Sequence, residues 1–347
     1  MTEADTIERV AGEAADRYLP SDASDARKLD FGAWDAFESL GFTSVTMPEK
    51  LGGGGGTMAD AASIATAAGS LRIPLAESLF LAGPLLREGG IRCPTGSISA
   101  ACAPFVTARK DGSVTRIFGH AERIPWAGEV RWLALLIGDG RHAALIEREA
   151  PEVAIEPGFN IAGEARDGIR LDGAGAAELW ELPPGQDWAD RFQLLGAAAR
   201  VAQIAGAAQR MLELTAQYST ERVQFGRSLN KFQAIQHRIA GLAADVASLR
   251  AARDLSAASI EDVTGGSWFG VACAKSEASM AAGRVATASH QIHGAIGFTK
   301  EHRLGGLSKR LWSWREEFGN ELVWQRRLGR TFLGSSTDLW TFATSGE

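Results

Sequence analysis

Apolar residues at helical spacing open the chain: Phe31, Trp34, Phe37 and Leu40 recur three apart, and Leu75 to Leu86 forms a second apolar stretch. Between them runs Gly52 to Gly56, with no Gly-Lys-Ser/Thr after it, which predicts a flexible connecting loop and not a phosphate loop. From Ser99 to Leu182 the pattern changes to short apolar runs broken by Asp111-Gly112 and Asp139-Gly140, pairs that favour hairpins. Val130 to Ile137 and Ala143 to Ile146 are expected to be antiparallel neighbours across Gly138-Asp139-Gly140. Past Pro184 the chain turns Ala-rich and helical again. Ile235, Ile239, Leu242, Val246 and Leu249 place one stripe on a helix expected from Asn230 to Ile260, and Leu194 to Tyr218 and Val271 to Ile292 have the same character.

The pattern thus predicts a mainly α chain with a small β domain: an N-terminal helical domain (1–98), a middle antiparallel β domain (99–183) and a C-terminal four-helix bundle (184–332). The tail, 333–347, is rich in Ser, Thr and Gly and is expected to be frayed or partner-dependent. Leu307, Trp312, Trp314, Phe318, Leu322 and Trp324 crowd one short region, which suggests a subunit interface, with an intramolecular core as the alternative.

Composition narrows the function. A length of 347 residues and 45% hydrophobic content suit a soluble globular protein, and a net charge of −6 disfavours a general nucleic-acid binder. Three cysteines without metal-ligand spacing indicate neither a disulfide framework nor a metal site, and fit a reducing cytoplasm. The acidic N-terminus lacks a signal-peptide pattern, and no apolar run is long enough to span a membrane.

Two stretches carry candidate chemistry. Tyr218 to Arg238 reads as a helix ending at Gly226, a basic turn and a new helix, with Arg222, Arg227 and Lys231 clustered where a pyrophosphate would be welcome; a solvated surface turn is the plainer reading. Ser289 to Phe298 closes a long helix with Gln291 and His293 beside Gly294 and Gly297, where a simple helix C-cap is the alternative. Arg253 reads as part of an ordinary helix face.

Together these stretches resemble the acyl-CoA dehydrogenase family: Arg222-Val-Gln-Phe-Gly226 precedes Phe232-Gln on a long helix, and Gln291-Ile-His-Gly-Ala-Ile-Gly-Phe298 follows. Leu40-Gly-Phe and Pro48-Glu-Lys-Leu-Gly-Gly look like the family's N-terminal domain, and Arg123-Ile-Pro-Trp-Ala127 like its middle domain. The resemblance implies FAD bound at a subunit interface, with Arg222, Gln224 and Phe225 on a dinucleotide held mainly by a neighbour. Gln291, Gly294 and Gly297 would then hold the adenine end, and Trp126 either approaches the flavin or belongs to the sheet core. It implies oxidation of an acyl-CoA thioester between Cα and Cβ as in β-oxidation, with an electron-transfer flavoprotein as redox partner.

This sequence departs from the family where the chemistry is concentrated. The turn that carries the catalytic base reads Glu316-Glu-Phe-Gly-Asn320, which puts Phe318 at the base position, and the alternative base position falls near Gly196, with the neutral Gln203 close by. Ser99 to Pro104 replaces the elements that hold the flavin pyrophosphate, and Ala295 replaces a glycine. The departures suggest a subunit that completes a partner's site, as in heterotetrameric two-gene acyl-CoA dehydrogenases acting on bulky, steroid-like CoA esters. The rivals are a self-sufficient homo-oligomer using Glu317, or Asp190, as base, and a helical scaffold without catalysis.

Overall fold

The computed structural model describes residues 3–19, 28–111, 114–261, 267–299 and 302–345. Two compact units divide it: one holds the described residues up to Ile64 and Leu71–Gly196, the other Ala65–Ser70 and Ala197 onward.

In the first unit the helices α1 (Glu3–Asp16), α2 (Phe31–Ser39), α3 (Met58–Ala67) and α4 (Gly83–Glu88) precede the sheet, the last turn of α3 crossing into the second unit. Asp30 caps α2 by accepting the Ala33 amide at 3.0 Å. A three-residue spacing drifts round a helix of 3.6 residues per turn, so Trp34 and Phe37 are buried while Phe31 and Leu40 stay exposed. The expected helix at Leu75–Leu86 instead contains a buried π-helical turn, Glu77–Ala82, that leads into α4. Gly52–Gly56 is no flexible connector. The amides of Gly53, Gly54, Gly55 and Gly56 all donate back to carbonyls of residues 44–48, and a Cβ on Gly53 would lie 2.2 Å from the Met47 carbonyl oxygen. Glycine is needed there for close backbone approach, and its amides face inward.

The sheet strands are β1 (Ile98–Ala103), β2 (Val106–Asp111), β3 (Val114–Pro125), β4 (Trp132–Ile137), β5 (His142–Glu147), β6 (Val153–Glu156) and β7 (Arg166–Glu181). The order is β1-β4-β5-β7-β3-β2, with β6 also on β7. The β4–β5 hairpin forms as expected across Gly138 and Gly140, both at positive φ. Strands β2 and β3 pair antiparallel, while Gly112 of the predicted Asp111-Gly112 turn lies outside the described residues. The sheet is mixed and not wholly antiparallel, since β1 runs parallel to β4. The β2–β3 hairpin and the chain after it separate β1 from β4, which gives the return length that a parallel neighbour requires.

The second unit is built from the long helices α5 (Trp188–Glu221, from Ala197 on), α6 (Gln233–Glu261) and α7 (Ser267–His293), with α8 (Arg303–Glu316), α9 (Glu321–Gly334) and α10 (Leu339–Ser345). Leu242, Val246 and Leu249 of the α6 stripe are buried against Val201, Ile204 and Met211 of α5 and Ala278 and Val285 of α7. Ile235 and Ile239 are half-buried at the start of α6. Of the aromatic-rich region, Leu307, Trp314 and Trp324 belong to the chain's own interior, while Trp312 and Leu322 remain exposed. The tail is not frayed over its described part: Phe342 on α10 is buried, with ring centroids 5.3 Å from Phe269 and 5.2 Å from Phe332.

Candidate functional site

The helix α5 ends at Glu221, not at Gly226. Two short strands, β8 (Val223–Gln224) and β9 (Arg227–Ser228), form a hairpin whose central residues Phe225 and Gly226 have φ of 52° and 79°. Positive φ at both positions suits the twist of a tight hairpin, at a steric cost for phenylalanine. Phe225 is 90% exposed, and Arg222 and Gln224 are exposed beside it. Arg227 is not part of a free cationic cluster: its guanidinium lies 4.1 Å from the Phe232 ring centroid.

The second predicted stretch lies close by. Tyr218, one turn before Arg222, stacks on His293 with centroids 4.4 Å apart, and its hydroxyl donates to the His293 carbonyl at 3.4 Å. Gln291 and Gly294 are exposed at the end of α7, Gly294 with φ of 65°. Gly297 is buried in the 3-10 segment Gly294–Phe298, where a Cβ would come within 3.1 Å of Leu304, His290 and His293. The donor set of one guanidinium and two carboxamides around a glycine-lined bend fits the phosphate and purine end of FAD. Trp126 belongs to the first unit and is 3% exposed in the sheet core with φ of 57°.

The turn after α8 is built differently. Glu317 ends the helix, and Phe318 and Gly319 follow with φ of 56° and 86°. Glu317 Oε2 accepts from Arg200 Nε at 2.7 Å, with side-chain exposures of 10% and 1%. The same guanidinium donates to Gln203 and lies 5.4 Å from the Phe318 ring centroid. From α7, Lys275 Nζ donates to the carbonyls of Trp314 (3.2 Å), Arg315 (2.8 Å) and Gly319 (2.8 Å) and to Ser279 Oγ (3.1 Å). The Phe318 carbonyl accepts from Trp324 Nε1 at 3.1 Å, and Asn320 caps α9. Burial pushes the Lys275 ammonium down to about 7, against the pull of the Glu317 carboxylate.

Arg200 and Lys275 were not among the predicted site residues. Their signal was present as single cations inside the Ala-rich runs Ala197–Ala202 and Val271–Ala274 and beyond, where long charged side chains are seldom buried without partners. Arg253 is also no ordinary surface residue, being 8% exposed with Nε 2.8 Å from Asp254. Gly196 and Asp190 lie on the α5 segment of the first unit, on the other side of the unit boundary from the turn.

Helices before a mixed sheet, then a bundle of long helices, are the architecture of the acyl-CoA dehydrogenase fold. A family model described as acyl-CoA dehydrogenase, C-terminal domain, matches residues 187–328. Acyl-CoA dehydrogenase IpdE2 of Mycobacterium tuberculosis is 31% identical over 314 residues, covering 89% of this chain and 88% of that protein. A chain of the ChsE4-ChsE5 complex from Mycobacterium tuberculosis superposes with a TM-score of 0.84 at 22% identity over 97% of this chain and 99% of its own. A chain of the Tcur3481-Tcur3483 steroid ACAD gives 0.81 at 21% identity over 96% and 98%. This chain belongs to the acyl-CoA dehydrogenase family. It is an FAD-dependent oxidoreductase acting on a CH–CH bond. Among the described residues no helix is long and apolar enough to cross a membrane.

Proposed function

We propose that this chain is the subunit of an acyl-CoA dehydrogenase that completes a partner subunit's site and does not itself abstract the α proton. The observation that carries this reading is the turn at 317–320. By resemblance Phe318 falls at the family's base position, and the neighbouring carboxylate, Glu317, is held in a buried pair with Arg200. Removing an α proton calls for a desolvated carboxylate within reach of substrate, and Glu317 is committed to a guanidinium instead. The replacement of the flavin-loop elements by the buried strand β1 supports the same reading. The two-chain names of the structural relatives and the word steroid in one of them motivate the expectation of a heteromeric assembly acting on a bulky CoA ester.

On this reading Arg222 binds phosphate, Gln224 and Gln291 orient the dinucleotide by hydrogen bonds, and Phe225 covers it from solvent. The bend at Gly294 and Gly297 lets the backbone approach the adenine end. Bound FAD supplies the hydride acceptor. The α proton is taken by a carboxylate of the partner, and electrons leave through an electron-transfer flavoprotein. The test compares this chain purified alone with the chain co-purified with a second acyl-CoA dehydrogenase subunit, for bound flavin and for turnover with a ferrocenium acceptor. Activity and full flavin only in the co-purified assembly are expected. Robust turnover by this chain alone, abolished by Glu317→Gln, would establish the self-sufficient homo-oligomer with Glu317 as base.

A further inference from the structure

Three histidines meet where α7 ends and α8 begins, and none of the assigned roles uses their ring nitrogens. His293 Nδ1 lies 2.9 Å from the Ser289 carbonyl, which can only accept, so the neutral ring carries its proton there and leaves Nε2 as a lone pair. That Nε2 is buried and, among the described residues, has no hydrogen-bond partner. His290 Nε2 lies 2.9 Å from Ser308 Oγ, whose single proton goes to the Leu304 or Gly305 carbonyl at 3.0 or 3.2 Å. His290 therefore donates to Ser308, and its Nδ1 is a second buried lone pair without a partner among the described residues. His302 Nδ1 accepts the Leu304 amide at 3.2 Å and so caps α8.

Each ring thus has its second nitrogen where a proton cannot be received without loss. On His293 and His290 the new N–H would be buried without an acceptor, a penalty comparable to a lost hydrogen bond. On His302 it would replace the lone pair that caps α8 with a donor facing a donor. Among the described residues the groups packed around them are aromatic: Tyr218 of α5 stacks on His293, Phe298 stacks on His290 at 4.2 Å, and Trp312 of α8 lies 6.5 Å from His290. His302 meets His293 edge-on at 4.8 Å, with the cationic Arg303 next to it.

We propose that His290, His293 and His302 form a proton-sensitive catch that holds the segment Gly294–Phe298 seated while all three rings are neutral and releases it on protonation. Burial holds all three imidazoles below the ordinary histidine value of 6.5, and the rings add to one another's shift: His302 lowers His290 and His293, and His290 lowers His293. A lowered histidine leaves the seated form fully stable above 6.5 and weakens it as the pH falls below, because the open form takes up protons that the seated form refuses. Several rings sharing this behaviour make the loss steep. The consequence for cofactor rests on the reading that Gly294 and Gly297 hold the adenine end; the catch itself does not.

Hydrogen exchange at the amides of residues 294–299 and 302–304, corrected for the intrinsic rate, tests the catch on the full chain between pH 7.5 and 5. Protection is expected to fall below pH 6.5 with a slope of two or more protons, roughly a hundredfold per pH unit. His293→Gln combined with His302→Asn, which retains a capping side chain, should reduce that slope to one proton or fewer. Protection independent of pH, or an unchanged slope in the double variant, would overturn the proposal. Should the variant fail to fold, NMR titration of the wild-type rings decides, since any of the three titrating at or above 6.5 sinks the idea. Flavin fluorescence in the assembled enzyme separates the two readings: opening without flavin release removes the cofactor role of Gly294 and Gly297 and leaves the catch standing.

Discussion

The hairpin at 222–228 and the turn at 317–320 both place a phenylalanine in the left-handed region of backbone space, yet they are held in opposite ways. Phe225 is almost wholly exposed, with a two-residue ladder and one edge contact to Phe232 around it. Phe318 is held by the Arg200 guanidinium over its ring and by Trp324 on its carbonyl, and Lys275 holds the next carbonyl, that of Gly319. A strained residue persists where its surroundings over-determine it, at a cost of about 1–3 kcal/mol. The turn meets that condition internally. The hairpin does not, which is the state expected of a segment completed by a ligand or another subunit.

The largest effect is expected from unbalancing the turn. Arg200→Met leaves the Glu317 carboxylate buried without its guanidinium and should cost about 3–5 kcal/mol in chemical denaturation. Adding Glu317→Gln should restore much of that loss. A single variant as stable as wild type would show that the turn is not held by this pair.

Lys275→Met should come next, since it strips the donor from three buried carbonyls, at about 1–3 kcal/mol near neutral pH. Its signature is in the pH dependence. With the folded-state value lowered to about 7 from the ordinary 10.5, the unfolded chain binds more protons between those limits, so wild-type stability should rise with pH across that window. The methionine variant should lose that rise. An equal slope in both proteins would remove Lys275 as its source.

At the hairpin the expected stability effects are small and partly of opposite sign. Phe225→Gly relieves the positive φ of an exposed residue, and should change stability by less than about 1 kcal/mol while lowering flavin retention in the assembled enzyme. Arg222→Ala should alter stability by no more than about 0.5 kcal/mol, yet reduce flavin content more than Arg250→Ala. Arg250 is the fitting control because it is exposed, whereas Arg253 is buried and ion-paired. Equal flavin content in the Arg222 and Arg250 variants would count against the pyrophosphate role.

Features that depend on neighbours along the chain were legible before any coordinates. Helical spacing marks α5, α6 and α7, Gly138-Asp139-Gly140 marks the β4–β5 hairpin, and the Arg222 and Gln291 motifs carry the family. The turn Glu316-Glu-Phe-Gly-Asn320 was equally legible as a departure from the family pattern. Local signals were less reliable where packing intervened: the glycines at 52–56 are a bonded knot, and Leu75–Leu86 holds a π turn. The pairings between distant residues emerge only from the packing. Tyr218 meets His293 across 75 positions, and Arg200 meets Glu317 across 117. Lys275 reaches carbonyls 39 to 44 positions away. No periodicity encodes such partners, because a buried charge records only that some partner must exist; which helix brings it is set by how the bundle packs.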